Sequence, residues 1–261
     1  MSLTVNTNIA ALNASRNLNN TESMLASSMQ RLSSGLRVNS AADDVAGYAI
    51  SERLQAQVNG LNQATQNSQD AISLAQTAQG SINDVVGMLQ RIRELAVQFA
   101  NGTTSATDKE AIESEATQLK EEIKRVGETT KFNGVALLSE EATISFQVGA
   151  NDKEVIAVKT LNLEKATEKA ELKEIKSIDE AISKVTTAAG EFGSVQNRVQ
   201  YTISNLEVYS QNLASAVSGI KDVNMAAEMT NFTKEQVLQQ AGVSILAQAN
   251  QLPNAVLKLL Q

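Results

Sequence analysis

Apolar residues recur along this chain in steps of three and four over most of its length, and in steps of two over one short stretch. The longest regular run lies within residues 50–99. There Leu54, Val58, Leu61, Thr65, Ser68, Ile72, Ala75, Gln79, Ile82, Val86 and Leu89 alternate steps of four and three, the pattern of a heptad seam on one long helix. About fifty residues of helix at 1.5 Å rise extend roughly 75 Å. Asn101-Gly102 supplies a C-terminal stop. A second helix opens at "TDKE", where Thr107 is placed to cap and Glu110 follows three residues on, as in a capping box. Ile112, Ala116, Leu119, Ile123 and Val126 form its stripe. The short connection between the two predicts an antiparallel pair.

Between residues 130 and 160 the period changes. "KFNGVALL" carries an Asn133-Gly134 turn signal. "TISFQV" sets Thr143, Ser145 and Gln147 against Ile144, Phe146 and Val148, and "EVIAV" follows. One or two small, half-exposed hairpins are predicted. A lone hairpin is marginal in water, so these should lie on the helices.

Helical spacing returns near Lys169. Leu172, Ile175, Ile178, Ile182 and Val185 lead to Gly190, which is either a break or a tolerated interior glycine. The stripe resumes with Val195, Val199, Leu206, Tyr209, Leu213, Val217 and Ile220. The last segment carries Leu238, Ala241, Ile245, Ala249, Leu252, Val256 and Leu260, and the first carries Val5, Ile9, Leu12, Leu18, Leu25, Met29, Leu32 and Leu36. Pro253 is expected to kink or turn the last helix near Gln251. The predicted fold is mainly α. It is an elongated antiparallel helical bundle or coiled coil with a small β-hairpin region near residues 131–158 and paired terminal helices. The divisions expected are residues 1–40, 41–220 and 221–261, the first and last being two halves of one helical domain.

Aromatic residues make up only 3% of the chain and Trp is absent, so small aliphatic side chains must do the packing. There is no Cys and no His. That removes disulfides, thiolate ligands and the usual neutral-pH general base. A net charge of -7 argues against broad nucleic-acid binding. No run is long and apolar enough to predict membrane insertion. The start, "MSLTVNTNIAAL", lacks the pattern of a cleaved signal peptide. Asp43-Asp44 reads as helix capping rather than a metal site. The paired serines 27–28 and 33–34 have no His or Cys to activate them, and no phosphate or dinucleotide loop is present. No catalytic residue, cofactor or metal is expected. The ends are striped yet almost uncharged on their polar faces, as suits helices desolvated by close neighbours.

The chain resembles bacterial flagellin. The resemblance is carried at the N-terminal side by "NTNIAALNASRNLN", "LASSMQRLSSGLRVNSAADDVAGYAISERL" and "NQATQNSQDAISLAQTAQGSINDVVGMLQRIRELAVQFANGT". At the C-terminal side it is carried by "FGSVQNRVQYTISNL" and "FTKEQVLQQAGVSILAQANQLPNAVLKLL". It implies a filament subunit of the motility organelle, in a short form without large outer domains. Alternatives are a hook-filament junction protein, similar at both ends, and a monomeric helical adaptor. The resemblance further implies assembly with copies of itself in a helical filament outside the cell, and export through the flagellar secretion apparatus without a cleaved signal. An export chaperone, a cap complex and hook-junction proteins would be its partners.

Ile9, Leu12, Ile245, Leu252 and Leu260 are the expected assembly contacts of the terminal helices, with the last three meeting the first two. Gly134 is the expected morphology switch. The resemblance also places Arg91, Leu95, Gln98 and Glu115 at a contact with an animal innate immune receptor and at contacts between subunits. An exposed Leu95 beside Arg91 fits a binding hot spot. The alternative for this pair is burial of Leu95 against another subunit, with an intersubunit ion pair at Arg91.

Overall fold

A computed structural model describes residues 7–168 and 170–259, with side chains described as far as Gln251. Six helices and two hairpins follow in order. They are α1 (Ile9–Ser34), α2 (Val45–Phe99), α3 (Ala106–Thr129), β1 (Lys131–Phe132), β2 (Val135–Ala136), β3 (Thr143–Gln147), β4 (Val155–Lys159), α4 (Leu163–Thr167), α5 (Ile175–Lys221) and α6 (Met225–Leu259). The expected mainly helical fold with a small hairpin region and paired terminal helices is what forms. The contacts divide the chain into two compact units, Met1–Ala56 with Leu213–Gln261, and Gln57–Asn212. Helices α2 and α5 each run from one unit into the other.

In the 57–212 unit, α2 buries two rows at heptad spacing. One is Leu61, Ser68, Ala75, Ile82, Leu89 and Ala96; the other is Ala64, Ala71, Ala78, Val85 and Ile92. The first row matches the predicted seam. The second lies one residue before the predicted Thr65, Ile72, Gln79 and Val86, which are only half-buried. Alanine carries little weight in a hydrophobic pattern, yet on the seam it lets a neighbouring element come close. Rows from α5 enter the same core: Ile178, Val185, Phe192 and Val199, with Ala181, Ala188 and Val195. Gly190 is tolerated inside the helix. Tyr209, expected on the stripe, is exposed.

Helix α3 is capped two residues earlier than predicted. The Ser105 hydroxyl accepts from the Asp108 amide, and the Asp108 carboxylate accepts from the Ser105 amide. Both hairpins are antiparallel. Lys131 pairs with Ala136 across the Asn133-Gly134 turn, and Thr143 pairs with Lys159 at the far end of β3–β4. The alternation holds: Ile144, Phe146, Val148, Ile156 and Val158 face inward. The β3–β4 turn settles on α2, where a Cβ on Gly60 would meet the Ala150 Cβ at 3.1 Å. Nearby, the Asn67 amide donates to the Gln147 carbonyl at 3.0 Å.

In the other unit α1 and α6 run antiparallel. Asn8 caps α1 by accepting from the Ala11 amide, and donates to the Ala249 carbonyl at 2.7 Å. At the opposite end Gly35 takes a left-handed φ of 72° and closes α1. The chain then bridges Leu36 to Asp222, and the Arg37 amide donates to the Lys221 carbonyl at 2.7 Å. Asp43 and Asp44 serve the structural roles expected of them. Asp44 accepts from the Gly47 amide at the start of α2. Asp43 accepts from Ser40 and Asn39, which lowers its pKa, the Ser40 hydrogen bonds being the main cause. Helix α6 continues through Pro253 to Leu259 without a turn.

Candidate assembly and recognition surfaces

The seam between α1 and α6 uses Leu18, Leu25, Leu32 and Ala249 of the expected stripes, but not Ile9, Leu12 or Ile245. On α6 the inward positions are Glu228, Phe232, Glu235, Gln239, Gly242, Leu246 and Ala249, in steps of four and three. On α1 they include Ala11, Ala14, Leu18, Thr21, Leu25, Ser28 and Leu32. Small and polar residues thus share the inside with Phe232, Leu246, Leu18, Leu25 and Leu32, while other large apolar residues point out. Ile9 is 62% exposed, Leu12 57% and Ile245 58%. Met24, Met29, Met229, Val237, Leu238 and Val243 are exposed as well. The expectation that Ile245 meets Ile9 and Leu12 within the chain is therefore overturned. The side chain of Leu252 and all of Leu260 lie outside what the structure describes. The cause is a heptad whose seam carries polar residues, so a search for apolar stripes selects the flank instead. Close approach replaces bulk at this seam: a Cβ on Gly242 would meet Leu18 Cδ1 at 3.3 Å.

The second candidate surface lies where α2 meets α3. Arg91 is half-exposed and ties the two helices. Its Nε donates to Glu115 Oε1 at 2.9 Å, with Nη2 at an ion-pair distance of 2.9 Å from the same oxygen, and Nη1 donates to Glu94 Oε2 at 3.1 Å. These bonds, Glu115 first, raise the guanidinium pKa further above its ordinary value. Two residues on, Arg93 Nε donates to Asp179 Oδ1 of α5 at 2.7 Å. Gln98 is exposed, and its carbonyl accepts from the Thr104 hydroxyl. Leu95 is not exposed. At 1% accessibility it packs with Ile112 and Ala116 of α3, flanked by Phe99, Leu119 and Leu172. The exposed hot-spot leucine is corrected accordingly, and so is burial of Leu95 against another subunit. A four-residue step turns about 40° around a helix, enough to carry Leu95 inward while Arg91 stays at the edge. Arg91, Gln98 and Glu115 remain available at the surface, and Leu95 supports them from below.

The third candidate, Gly134, lies at an exposed tip with φ 81°, following Asn133 at φ 49°. Open space surrounds its Cα, so backbone conformation alone dictates glycine there. Several features escaped the sequence reading: the Ser28–Glu228 contact, the Ser105 cap, the Gly60 seat and Phe192. A heptad count that admits polar residues reveals Glu228, Glu235, Gly242 and Ala249 seven apart; the Ser105 cap is signalled locally by Asp108 three residues on, and the Gly60 seat and Phe192 depend on contacts distant in sequence. Among the described residues no helix is long and apolar enough to cross a membrane.

A helical protein whose terminal pair leaves so many large apolar side chains exposed presents a surface suited to contact with other chains. The N-terminal helical region of bacterial flagellin matches residues 5–143, and the C-terminal helical region matches residues 175–260. A flagellin from Halalkalibacterium halodurans is 46% identical, over 98% of this chain and 99% of that one. A flagellar filament 33 kDa core protein from Treponema phagedenis is 39% identical, with the same two coverages. The crystal structure of Bacillus cereus flagellin aligns with a TM-score of 0.51 at 31% identity, covering 58% of this chain and 94% of that one. This chain belongs to the bacterial flagellin family. Its members are structural filament proteins, not enzymes.

Proposed function

We propose that this chain is the repeating subunit of a flagellar filament, held by contacts between copies of its terminal helices. The observation that carries the reading is the outward apolar flank of the α1–α6 pair, with Ile9, Leu12, Leu238 and Ile245 all exposed. Ordering these helices costs about 1–2 kcal/mol per residue in backbone entropy alone. A seam in which small and polar residues alternate with a few larger apolar ones returns only part of that, and neighbouring subunits supply the remaining apolar contact. Residues 1–40 and 221–261 then form the inner tube and residues 41–220 surround it. Family membership supports a place in the filament outside the cell, reached by flagellar export without a cleaved signal. Flagellar chaperone, cap and hook-junction proteins are the accompanying partners. Deleting residues after Thr233 tests this. The truncated chain is expected to retain the folded 57–212 unit by circular dichroism and to add nothing to filament seeds. Normal filaments from the truncation would refute the role of α6.

Two finer roles accompany this reading. The Asn133-Gly134 turn lies in the region proposed to set filament shape. Valine at position 134 is disfavoured at positive φ, so Gly134→Val is expected to alter waveform and curvature in electron micrographs before it stops assembly. Unchanged curvature would remove the role. Arg91, Gln98 and Glu115 are proposed to form a surface for an animal innate immune receptor. Released monomer is expected to bind the purified receptor ectodomain, and Arg91→Ala to weaken that binding without loss of fold. No binding by the parent chain at micromolar concentration would end the proposal.

A further inference from the structure

We propose that Asn133-Gly134, at the tip of the β1–β2 hairpin, is a site of spontaneous deamidation that converts to aspartate and isoaspartate faster than the other two Asn-Gly pairs of the chain. Those pairs are Asn59-Gly60 and Asn101-Gly102. All three share the same reacting groups and differ in backbone. The glycine nitrogen attacks the asparagine Cγ. An N–Cγ bond forms, the Cγ–Nδ2 bond breaks, and the amide proton leaves with the departing ammonia. Water then opens the five-membered succinimide. Attack at Cγ gives aspartate. Attack at the backbone carbonyl carbon gives isoaspartate, whose main chain runs through Cβ and Cγ. No oxidant or reductant is needed.

The succinimide is nearly planar, so closure holds the asparagine ψ at about −120°, the value of the first central residue in a II′ turn. Asn133 at φ 49° and Gly134 at φ 81° are the two central residues of a hairpin loop closed by the Phe132–Val135 pair, which makes a type I′ turn. Types I′ and II′ share a positive φ at the first central residue and differ by a flip of the peptide between the two. Asn133 therefore already has the φ that the ring needs, and both turn types suit a two-residue hairpin. Gly134 takes either sign of φ without penalty, and a Cβ placed on it would meet nothing within 4 Å. Asn133 is exposed to the water that opens the ring.

The other two pairs are held away from closure. Asn59-Gly60 lies inside α2, at a helical ψ of about −42°, with Gly60 seated against Ala150. Ring formation there requires the helix to open. At Asn101 the carbonyl accepts from the Thr104 amide and Oδ1 accepts from the Thr103 amide, both at 3.3 Å. These bonds restrain the peptide and the carboxamide that must come together. The expected order is Asn133, then Asn101, then Asn59. Isoaspartate adds a backbone atom and a negative charge to the hairpin tip. In a filament whose subunits are not replaced, the converted fraction records their age; this consequence alone rests on the filament reading.

The test incubates the full folded chain at mildly alkaline pH, beside the same chain in denaturant, and maps the three pairs by peptide mass spectrometry. In denaturant the three should convert at similar rates. In the folded chain Asn133 should lead Asn101 and exceed Asn59 by on the order of tenfold or more, as protection by helix structure requires. Labelling of the aged chain by a purified isoaspartyl methyltransferase should fall sharply in Asn133→Gly, which keeps a turn of the same type. Conversion of Asn101 or Asn59 ahead of Asn133 would overturn the inference. So would an intact Asn133 in the folded chain when the denatured chain reacts, or undiminished labelling of Asn133→Gly. None of these readouts needs assembly, so their failure leaves the filament reading standing.

Discussion

Replacing Ile245 by Asp is expected to abolish filament growth while leaving the melting of the monomer unchanged. Ile245 is 58% exposed on the flank of α6, seven residues beyond exposed Leu238. At such a position a substitution changes monomer stability by roughly 0.5 kcal/mol or less. Under the proposed assembly a neighbour covers this flank, and an unpaired buried carboxylate there would cost several kcal/mol, on the order of a hundredfold or more in affinity for each subunit. Every addition meets that penalty again. Seeded extension followed by electron microscopy, beside thermal unfolding of the monomer, separates the two effects. Parental extension rates in the variant would show that this flank is not an interface. Collapse of the monomer fold would show that Ile245 stabilises the chain itself.

The second large effect is expected at Leu95. Leu95→Ala should destabilise the 57–212 unit by about 2–5 kcal/mol, as deletions of buried leucine side chains do. For a unit of this size each kcal/mol lowers the melting temperature by roughly 2–4 °C, so a fall on the order of 10 °C is expected. Arg91→Ala should leave the melting temperature close to the parent's, because the Arg91–Glu115 pair is exposed and screened. Calorimetry on the two single variants is the measurement. A Leu95→Ala protein that melts with the parent yet loses receptor binding would restore Leu95 as a contact residue. The expected result instead assigns direct contact to Arg91 and support to Leu95. Combining the two substitutions would mix unfolding with lost contact, so the single variants carry the interpretation.

Most of the element order was legible from spacing alone. The heptad of α2, the alternation of β3 and the Asn133-Gly134 turn each state their period locally; the strand and turn appear where expected, and so does one of the two rows of α2. What escaped depends on the neighbour that a face meets. Leu95 and Arg91 both lie in an amphipathic run, and only the position of α3 shows which of them turns inward. The terminal pair misleads more deeply. Pattern reading equates apolar with inside, and in α6 Ile245 and Leu238 face out while Glu228 and Gln239 face in. Such an inversion is legible only when the chain is considered as part of something larger. The row of Ala64, Ala71 and Ala78 was missed for the opposite reason: a methyl group adds little to a hydrophobic pattern, yet its small size is what lets two backbones come close.

Those alanine rows also bear on how the subunit carries load. A seam filled by long side chains can yield under torque, because each χ angle is a small hinge. Ala71, Ala75 and Ala78 have no such hinge, and they sit in the buried core, where interiors are close-packed. At these alanine positions, twisting α2 against the elements around it strains backbones rather than swivelling side chains. In an organelle that pushes against water, a seam of this kind makes for a material that transmits torsion before it absorbs it.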